Sequence, residues 1–248
     1  MCNESRMEQE KKVRKRKTTS NIPLGKLWEL NPIWAVLDEE QRESAMGQVE
    51  VRRYRKGERI HHEGTVPTHM MMVVSGKIKI VKEGVGQRQQ IIRLLKPFDF
   101  FSYRAVVGGG RYNSTAEAIE DCTIYQLNKE TFINLLQHNN RFCFLVMQNM
   151  AGDLGTQEAK TVSLTQKHIR GRLAESLLTL KQNYGTDEDG ATISMYMSRE
   201  DLASMSNMTT SNAIRTLSQF AQEGVVSVDG RKIKILDEPA LRKVSLMG

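Results

Sequence analysis

The fold of this chain is decided by residues 198–236, whose sequence is SREDLASMSNMTTSNAIRTLSQFAQEGVVSVDGRKIKIL. Ser198 and Asp201 have the spacing of a capping box, which predicts that a short helix begins directly after Ser198. The helical pattern breaks around Asn207, a residue that tolerates the left-handed backbone of a sharp turn. The first part of the stretch therefore predicts a helix followed by a tight turn.

A second helix is predicted to begin after Thr209, which can cap it. Apolar residues recur at helical spacing and are expected to point inward: Ala213, Ile214, Leu217 and Phe220. The opposite face is polar and made mostly of short side chains: Thr210, Ser211, Arg215 and Gln219.

A β-hairpin is predicted to follow, because Gly224 ends the helix and two β-rich runs flank Asp229-Gly230, a dipeptide suited to a type I′ turn. Two helices joined by a tight turn, the second narrow and polar, have a shape that can enter the DNA major groove. The hairpin would be the wing. The stretch therefore predicts a winged helix-turn-helix.

These residues resemble the cyclic-AMP receptor and fumarate-nitrate regulator (Crp/Fnr) family of bacterial transcription factors, over about residues 30–237. In that family the first helix opens with the pattern [ST]-R-x-[DE]-[LI], which residues 198–202 match, and the second helix carries an Arg that Arg215 matches. Thr210 and Ser211 replace a charged residue, and Ile214 replaces a smaller one. The family's familiar operator sequences therefore do not transfer to this chain.

The resemblance implies double-stranded DNA and RNA polymerase as partners. Arg215 is expected to donate two hydrogen bonds to one guanine, and Arg199 is better placed for a phosphate. The full set of predicted DNA-binding residues is Ser198, Arg199, Thr209, Thr210, Ser211, Asn212, Arg215, Arg231 and Lys232.

Composition predicts a soluble cytoplasmic protein with no membrane span. The charged fraction is 26%, and the sequence has neither an apolar run of membrane-spanning length nor the apolar core of a signal peptide. Its three cysteines have no paired spacing, which indicates reduced thiols: Cys2, Cys122 and Cys143.

The net charge of +7 is unevenly distributed along the chain. Residues 1–20 hold seven Lys/Arg against three Asp/Glu, whereas residues 168–248 hold ten of each. The first 21 residues are predicted to be a basic disordered tail, which either binds phosphates or merely solvates the chain. Since the predicted DNA-binding domain is neutral overall, DNA binding must depend on where its cations lie.

Residues 22–139 are predicted to form a β-rich domain. Short helices come first, with Ile33, Trp34 and Leu37 on their apolar side, and short runs of period two follow between turn residues. This part resembles the double-stranded β-roll, a jelly roll, that the family uses as a sensor. Gly57, Gly64 and Gly76 stand where the family places glycine, in turns that need a positive φ.

Residues 140–167 are predicted to form one long helix, because apolar positions recur near a three-four repeat from Phe144 onward. In the family the corresponding helix is the seam of a homodimer. Packing of the helix wholly on its own β-roll is the alternative. The predicted dimer interface comprises Met147, Met150, Leu154, Thr161 and Leu164.

Cyclic AMP is disfavoured as the effector of the predicted sensor. The family's cyclic-nucleotide binders use a Gly-Glu pair for the ribose and an Arg-Ser pair for the phosphate, and the corresponding places here read residues 101–103 and 112–113. Arg111 is one residue out of register, which on a strand would reverse its direction. Gln157-Glu158 replaces the pair that contacts adenine.

Two other possible cofactors, an iron–sulfur cluster and haem, can be judged from the residues that would bind them. An iron–sulfur cluster needs about four thiolates, and three scattered cysteines exclude it. Haem needs only one or two axial ligands, so His61, His62, His69, a methionine or a cysteine could serve, although a lone histidine in a β-roll is more often a packed or surface residue.

The sequence thus predicts an α+β homodimer with a β-roll sensor, a long dimerisation helix and a winged helix-turn-helix over residues 168–248. The predicted function is sequence-specific DNA binding that responds to an effector other than cyclic AMP. A haem-based regulator of the same family is one alternative, and a β-roll small-molecule carrier or enzyme without DNA function is another. No recognisable catalytic grouping appears, which favours a protein that is not an enzyme.

Overall fold

A computed structural model describes residues 32–247. The basic tail and the start of the first predicted helical segment lie outside the described residues. The described chain begins with two short helices, α1 (Pro32–Ala35) and α2 (Glu39–Gly47). Ile33, Trp34 and Leu37 are buried, as the sequence pattern predicts.

Within the described residues, the β-domain contains eight strands, whose ranges are given below. They form two antiparallel four-stranded sheets, in the orders β1-β8-β3-β6 and β2-β7-β4-β5. Seven of the eight coincide with the alternating runs in the sequence. The two-residue β6 and a short helix, α3 (Tyr103–Gly108), were not predicted. The strands are β1 (Val49–Tyr54), β2 (Arg59–His61), β3 (His69–Ser75), β4 (Ile78–Glu83), β5 (Gln89–Leu95), β6 (Phe100–Phe101), β7 (Thr115–Ala118) and β8 (Cys122–Asn128).

The turn glycines have the positive φ that the sequence predicts: 80° at Gly57, 81° at Gly64 and 84° at Gly76. Gly76 has a second constraint. A Cβ atom at this position would lie 2.5 Å from the carbonyl oxygen of Asp121, so a side chain there would force the backbone apart.

Helices carry the chain from the β-domain to its C-terminal part. Asn128 caps α4 (Lys129–His138) by accepting a hydrogen bond from the Thr131 N–H. The long α5 (Asn140–Gln166) follows, and then α6 (Ile169–Tyr184), which buries Leu173, Leu177 and Leu180. The remaining elements are α7 (Arg199–Met205), α8 (Thr210–Gln222), β9 (Val226–Asp229), β10 (Lys232–Ile235) and α9 (Glu238–Met247). Helix α9 was not predicted from the sequence.

The C-terminal domain packs against the β-domain through the edge strand β5. Val81 and Ile91 of the β-domain belong to the same buried apolar cluster as the residues at the centre of the helix-turn-helix. The Ser204 hydroxyl of α7 accepts a hydrogen bond from the Ile91 N–H (2.9 Å) and donates one to the Gln89 carbonyl (2.8 Å). Helix α7 therefore covers the open edge of the sheet.

Candidate nucleic-acid interface

The first helix of the helix-turn-helix, α7, is capped by Ser198, whose Oγ accepts from the Asp201 N–H at 3.0 Å. Only half of the predicted capping box forms. The Asp201 carboxylate accepts instead from the Ser198 hydroxyl and from Lys79 Nζ, each at 2.8 Å. An ion pair with the β-domain thus replaces the second capping bond, because Lys79 is an ammonium and a stronger partner than an amide.

The turn between the two helices is built as predicted. Asn207 has a φ of 49°, in the left-handed region that asparagine tolerates better than most residues. Thr209 then caps α8, since its Oγ1 accepts from the Asn212 N–H at 3.2 Å. The turn and the cap together fix the direction in which α8 leaves α7.

The buried stripe of α8 differs from the prediction at one position. Ala213, Leu217 and Phe220 are buried, but the side chain of Ile214 is 48% exposed. Its predicted inward place is taken by Thr216, which is buried. The expectation for Ile214 was wrong because the residue follows Ala213 directly, and a step of one residue turns a helix by about 100°.

The exposed face of α8 gathers side chains that can form hydrogen bonds. Thr210, Ser211 and Arg215 are exposed on this face, and Asn212 is half-buried beside them. The Arg215 guanidinium donates to Asn212 Oδ1 at 2.9 Å. This bond holds the guanidinium in place while leaving its other N–H donors for a partner.

The wing is the hairpin of β9 and β10, with Asp229 paired to Lys232. The turn residues are therefore Gly230 and Arg231, one position later than predicted. Of these two, only Gly230 has a positive φ, so the turn is not the predicted type I′, which needs a positive φ at both. Arg231 and Lys232 are exposed at the tip.

Arg199 connects α7 to the wing. Its Nη2 donates to the Gly230 carbonyl at 2.6 Å, and its side chain is partly buried. The guanidinium therefore lies where the first helix meets the tip of the wing. That position suits a contact with the DNA backbone next to the groove, because the first helix of a helix-turn-helix crosses the backbone.

The acidic loop of residues 187–189 is held by hydrogen bonds and an ion pair at Asp189. Asp189 accepts from the backbone N–H groups of Thr192 and Ala191, and these bonds hold the pKa of its carboxyl well below the usual value. Its carboxylate pairs with Lys234 at 3.2 Å. Lys234 is thereby partly neutralised, which leaves the cations of α7, α8 and the wing tip to define the surface.

Helix α5 keeps an apolar face exposed. Phe144, Met147 and Leu154 are between 54% and 61% exposed, and their spacing continues through Thr161, which is also exposed. Of the other predicted interface residues, Met150 packs partly against the core of the β-domain and Leu164 is half-buried. Phe144, at which the predicted repeat begins, and Val162 are exposed too, although neither was among the predicted interface residues.

In its C-terminal half, α5 also has a polar face that is attached to β5. Lys160 Nζ donates to the Ile91 carbonyl at 2.6 Å, and Gln157 donates to the Ile92 carbonyl at 3.4 Å. Burial lowers the pKa of Lys160 to about 8. The polar face thus packs on the β-domain, and the apolar face of α5 points away from it.

Sequence models of two domains match the chain. Residues 51–139 match the cyclic nucleotide-binding domain, and residues 171–244 match the Crp-like helix-turn-helix domain. The chain belongs to the Crp/Fnr family of transcription regulators. It is a DNA-binding regulator with an effector-binding domain, and homodimers are typical of the family.

Individual Crp/Fnr relatives are distant in sequence. The chain is 22% identical over 189 residues to the CRP-like cAMP-activated global transcriptional regulator of Mycobacterium tuberculosis, covering 76% of this chain and 84% of that one. It is 24% identical over 194 residues to the nitrogen fixation regulation protein FixK of Azorhizobium caulinodans, covering 77% of each. The solved structure of FixK2 from Bradyrhizobium japonicum has the same fold, with a TM-score of 0.72, 23% identity, and coverage of 79% of this chain and 96% of that one.

The part of the Crp/Fnr sensor that would hold a cyclic nucleotide has other partners here. Tyr103, in the place of the ribose Glu, donates a hydrogen bond to Asp153 of α5, which also pairs with Arg93 at 2.7 Å. Arg111 lies in the loop before β7 rather than on a strand, so the expected reversal of direction does not apply. Its guanidinium donates to the Gly64 carbonyl at 2.8 Å.

The inside of the β-roll contains a buried histidine that the sequence could not single out. His61 stacks face to face on Tyr112, with ring centroids 3.8 Å apart and planes 12° apart, and it lies 6.3 Å from the Phe101 ring. Burial lowers the pKa of His61 to about 4, so the ring is neutral at physiological pH.

The other two candidate haem ligands lie in different surroundings. His62 is exposed, and His69 is half-buried with its Nδ1 in a 2.8 Å hydrogen bond with the Thr68 hydroxyl. Within the described part of the chain, no three histidine, cysteine, aspartate or glutamate side chains group as metal ligands. Among residues 32–247, no helix has the length and apolar character needed to cross a bilayer.

Proposed function

We propose that this regulator works as a homodimer paired along α5, with α8 of each copy entering one of two successive major grooves of a pseudo-palindromic site. The observation that carries the proposal is the exposed face of α8, where polar and cationic side chains stand beside a basic wing tip. The apolar face of α5 supports pairing. Phe144, Met147 and Leu154 are exposed to solvent, and burying them against a second copy stabilises the dimer.

The proposed DNA contacts divide into two classes. Thr210, Ser211 and Arg215 face the bases, and the guanidinium of Arg215 is aimed by Asn212 for two hydrogen bonds to one guanine. The remaining groups contact the phosphate backbone, either as capping residues at helix N-termini or as cations near the wing: Ser198, Thr209, Arg199, Arg231 and Lys232.

The proposed setting is the cytoplasm, with RNA polymerase as the second partner of the DNA-bound dimer. The relatives are transcription regulators, and a regulator acts on the enzyme that transcribes the DNA it binds. A role without catalysis is consistent with this setting.

The proposed effector binds the β-roll and is not cyclic AMP. Tyr112-Asn113 stands where the family's binders carry the Arg-Ser pair for the phosphate, and the nearby Arg111 donates a hydrogen bond to the Gly64 carbonyl. Tyr103 cannot replace a ribose-binding carboxylate, since its hydroxyl donates to Asp153. A haem-based sensor is the alternative, and an ultraviolet–visible spectrum of the protein as purified would support it by a Soret band.

The dimer is tested by Leu154→Glu. A carboxylate placed at the centre of an apolar seam loses its hydration without gaining a partner, so the dimer should dissociate and binding to a two-half-site DNA should fall steeply. Light scattering gives the mass, and a gel shift gives the binding. Thr156→Glu is the matched control, because Thr156 is exposed on α5 about 160° around the helix from Leu154 and should leave both measurements unchanged.

Two results would contradict the proposal. An unchanged dimer mass for Leu154→Glu would place the seam elsewhere. Failure of the wild-type protein to shift any fragment from a random DNA pool would favour a β-roll carrier or enzyme without DNA function.

A further inference from the structure

One apolar side chain interrupts the polar face of α8. Ile214 is 48% exposed, and its neighbours on this face, Thr210, Ser211 and Arg215, are polar or charged. The inward stripe is complete without it, since Ala213, Thr216, Leu217 and Phe220 are all buried. Folding gives little reason for an isoleucine here, because a β-branched residue lowers helix propensity and about half of the surface of Ile214 stays in water.

The position of Ile214 on the helix is specific. It lies one turn after Thr210 and directly precedes Arg215, and with about 100° per residue it falls on the helix surface between Thr210 and Ser211. This is the N-terminal half of α8, the part of a recognition helix that contacts base edges. In a major groove, this side chain would therefore face base edges from the side of the helix that carries Thr210 and Ser211.

The major groove offers one apolar group to such a side chain. Base edges present hydrogen-bond donors and acceptors, and only thymine adds a methyl group, on C5. A branched aliphatic side chain cannot satisfy the polar edges of the other bases, and it would desolvate them without return. Ile214 is thus matched to a thymine and mismatched to a cytosine at the same place.

We propose that Ile214 contacts the C5-methyl group of one thymine in each half-site, close to the base pair contacted by Arg215, and so determines specificity at that position. The inference rests on the proposed role of α8 as the recognition helix. It assigns to this regulator a requirement for a methyl group, in addition to the hydrogen bonds that its polar side chains can make.

The test removes the methyl group alone. A high-affinity DNA is first selected from a random pool with the full chain, and each thymine of the half-sites is then replaced in turn by 2′-deoxyuridine. For the wild-type protein, one such replacement should weaken binding about fourfold in one half-site and about fifteenfold in both, the effect of burying about one methyl group per site. In Ile214→Ala the same replacement should have no effect.

Control variants assign the methyl contact to the right residue. Ser218→Ala changes an exposed residue one turn further along α8 and should keep the full sensitivity to deoxyuridine. Thr210→Ser removes the other methyl group on this face and should also keep it. The coupling between protein variant and base replacement, measured as a double-mutant cycle, isolates the contact from general effects on affinity.

Failure of this inference differs from failure of the proposed function. If Arg215→Ala loses discrimination between selected and scrambled DNA while Ile214→Ala stays as sensitive to deoxyuridine as the wild type, α8 is the recognition helix and the methyl contact is wrong. The methyl contact is also wrong if Thr210→Ser, rather than Ile214→Ala, abolishes the sensitivity. If none of the α8 variants changes discrimination, the assignment of α8 itself fails.

Discussion

The β-roll and the winged helix-turn-helix differ in where their functional polar side chains point: inward in the roll and outward in the winged domain. In the roll, His61, Tyr103 and Tyr112 point into packed or bridged positions where each meets another side chain of the chain itself. In the winged domain, Thr210 and Arg215 point outward. Changes to the inward groups should therefore alter stability, whereas changes to the outward groups should alter binding to DNA.

The largest effect on stability is expected from His61 at acidic pH. The pKa of His61 is about 4 in the folded chain, against 6.5 for an ordinary histidine. Above about pH 6.5 the ring is neutral in both states; as the pH falls from there to about 4, the unfolded chain takes up a proton that the folded chain does not. Folding should thus lose about 2–3 kcal/mol between about pH 7 and about pH 4.5 from this residue.

Urea unfolding at the two pH values measures this loss, and the comparison is with His61→Phe, which keeps a ring beside Tyr112 but cannot titrate. The variant should lose about 2–3 kcal/mol less than the wild type over the same pH range. Equal pH dependence in the two proteins would show that His61 is not held neutral by burial.

Arg215→Ala should give the opposite result, a loss of binding without a loss of stability. Two hydrogen bonds to one guanine contribute about 1–3 kcal/mol of discrimination, so binding to the selected site should weaken by that amount while binding to scrambled DNA changes little. The free energy of unfolding should stay within about 0.5 kcal/mol, since the side chain is exposed. Equal losses on both DNAs would make Arg215 a phosphate contact.

Arg199→Ala lies between these two cases, because Arg199 is partly buried and bound to the Gly230 carbonyl. Affinity for all DNA sequences should fall together, and the slope of log affinity against log salt should decrease by about one, as expected for one lost phosphate contact. Fluorescence anisotropy over a range of salt concentrations measures the slope. A loss confined to the selected site would indicate a base contact instead.

The smallest effect is expected from cyclic AMP, which should not raise the melting temperature of the protein even at millimolar concentration. A ligand at 100 times its dissociation constant would add about 2.7 kcal/mol, which thermal unfolding detects easily. AMP is the control nucleotide. Stabilisation by cyclic AMP and not by AMP would mean that the roll opens a site despite the Tyr112 and Tyr103 replacements.

The sequence predicted the winged domain closely because its determinants are local. Capping residues, the Asn207 turn and a helical period all act within a few residues, and each is present in the structure. The error at Ile214 has a physical cause: apolar character alone did not decide which way the residue faces, and the buried residue at the inward position is Thr216.

The roll was predictable as a set of strands but not as a site. The contact between His61 and Tyr112 and the bridge from Tyr103 to Asp153 join residues far apart in the chain, and no spacing in the sequence indicates them. The strand β6 was also missed, because two residues are too few to show a period in the sequence. The side-chain contacts and this strand both depend on residues that come together only in the folded chain.

The cover that α7 places over β5 has a consequence for solubility. The Ile91 N–H is bound by Ser204 of α7 and the Ile91 carbonyl by Lys160 of α5, so two helices together satisfy the outward backbone groups of an edge strand. An uncovered edge strand is a template for pairing with other chains. Any movement of the winged domain that lifts α7 from β5 therefore exposes a self-associating edge, and such a rearranged state must find new protection there to stay in solution.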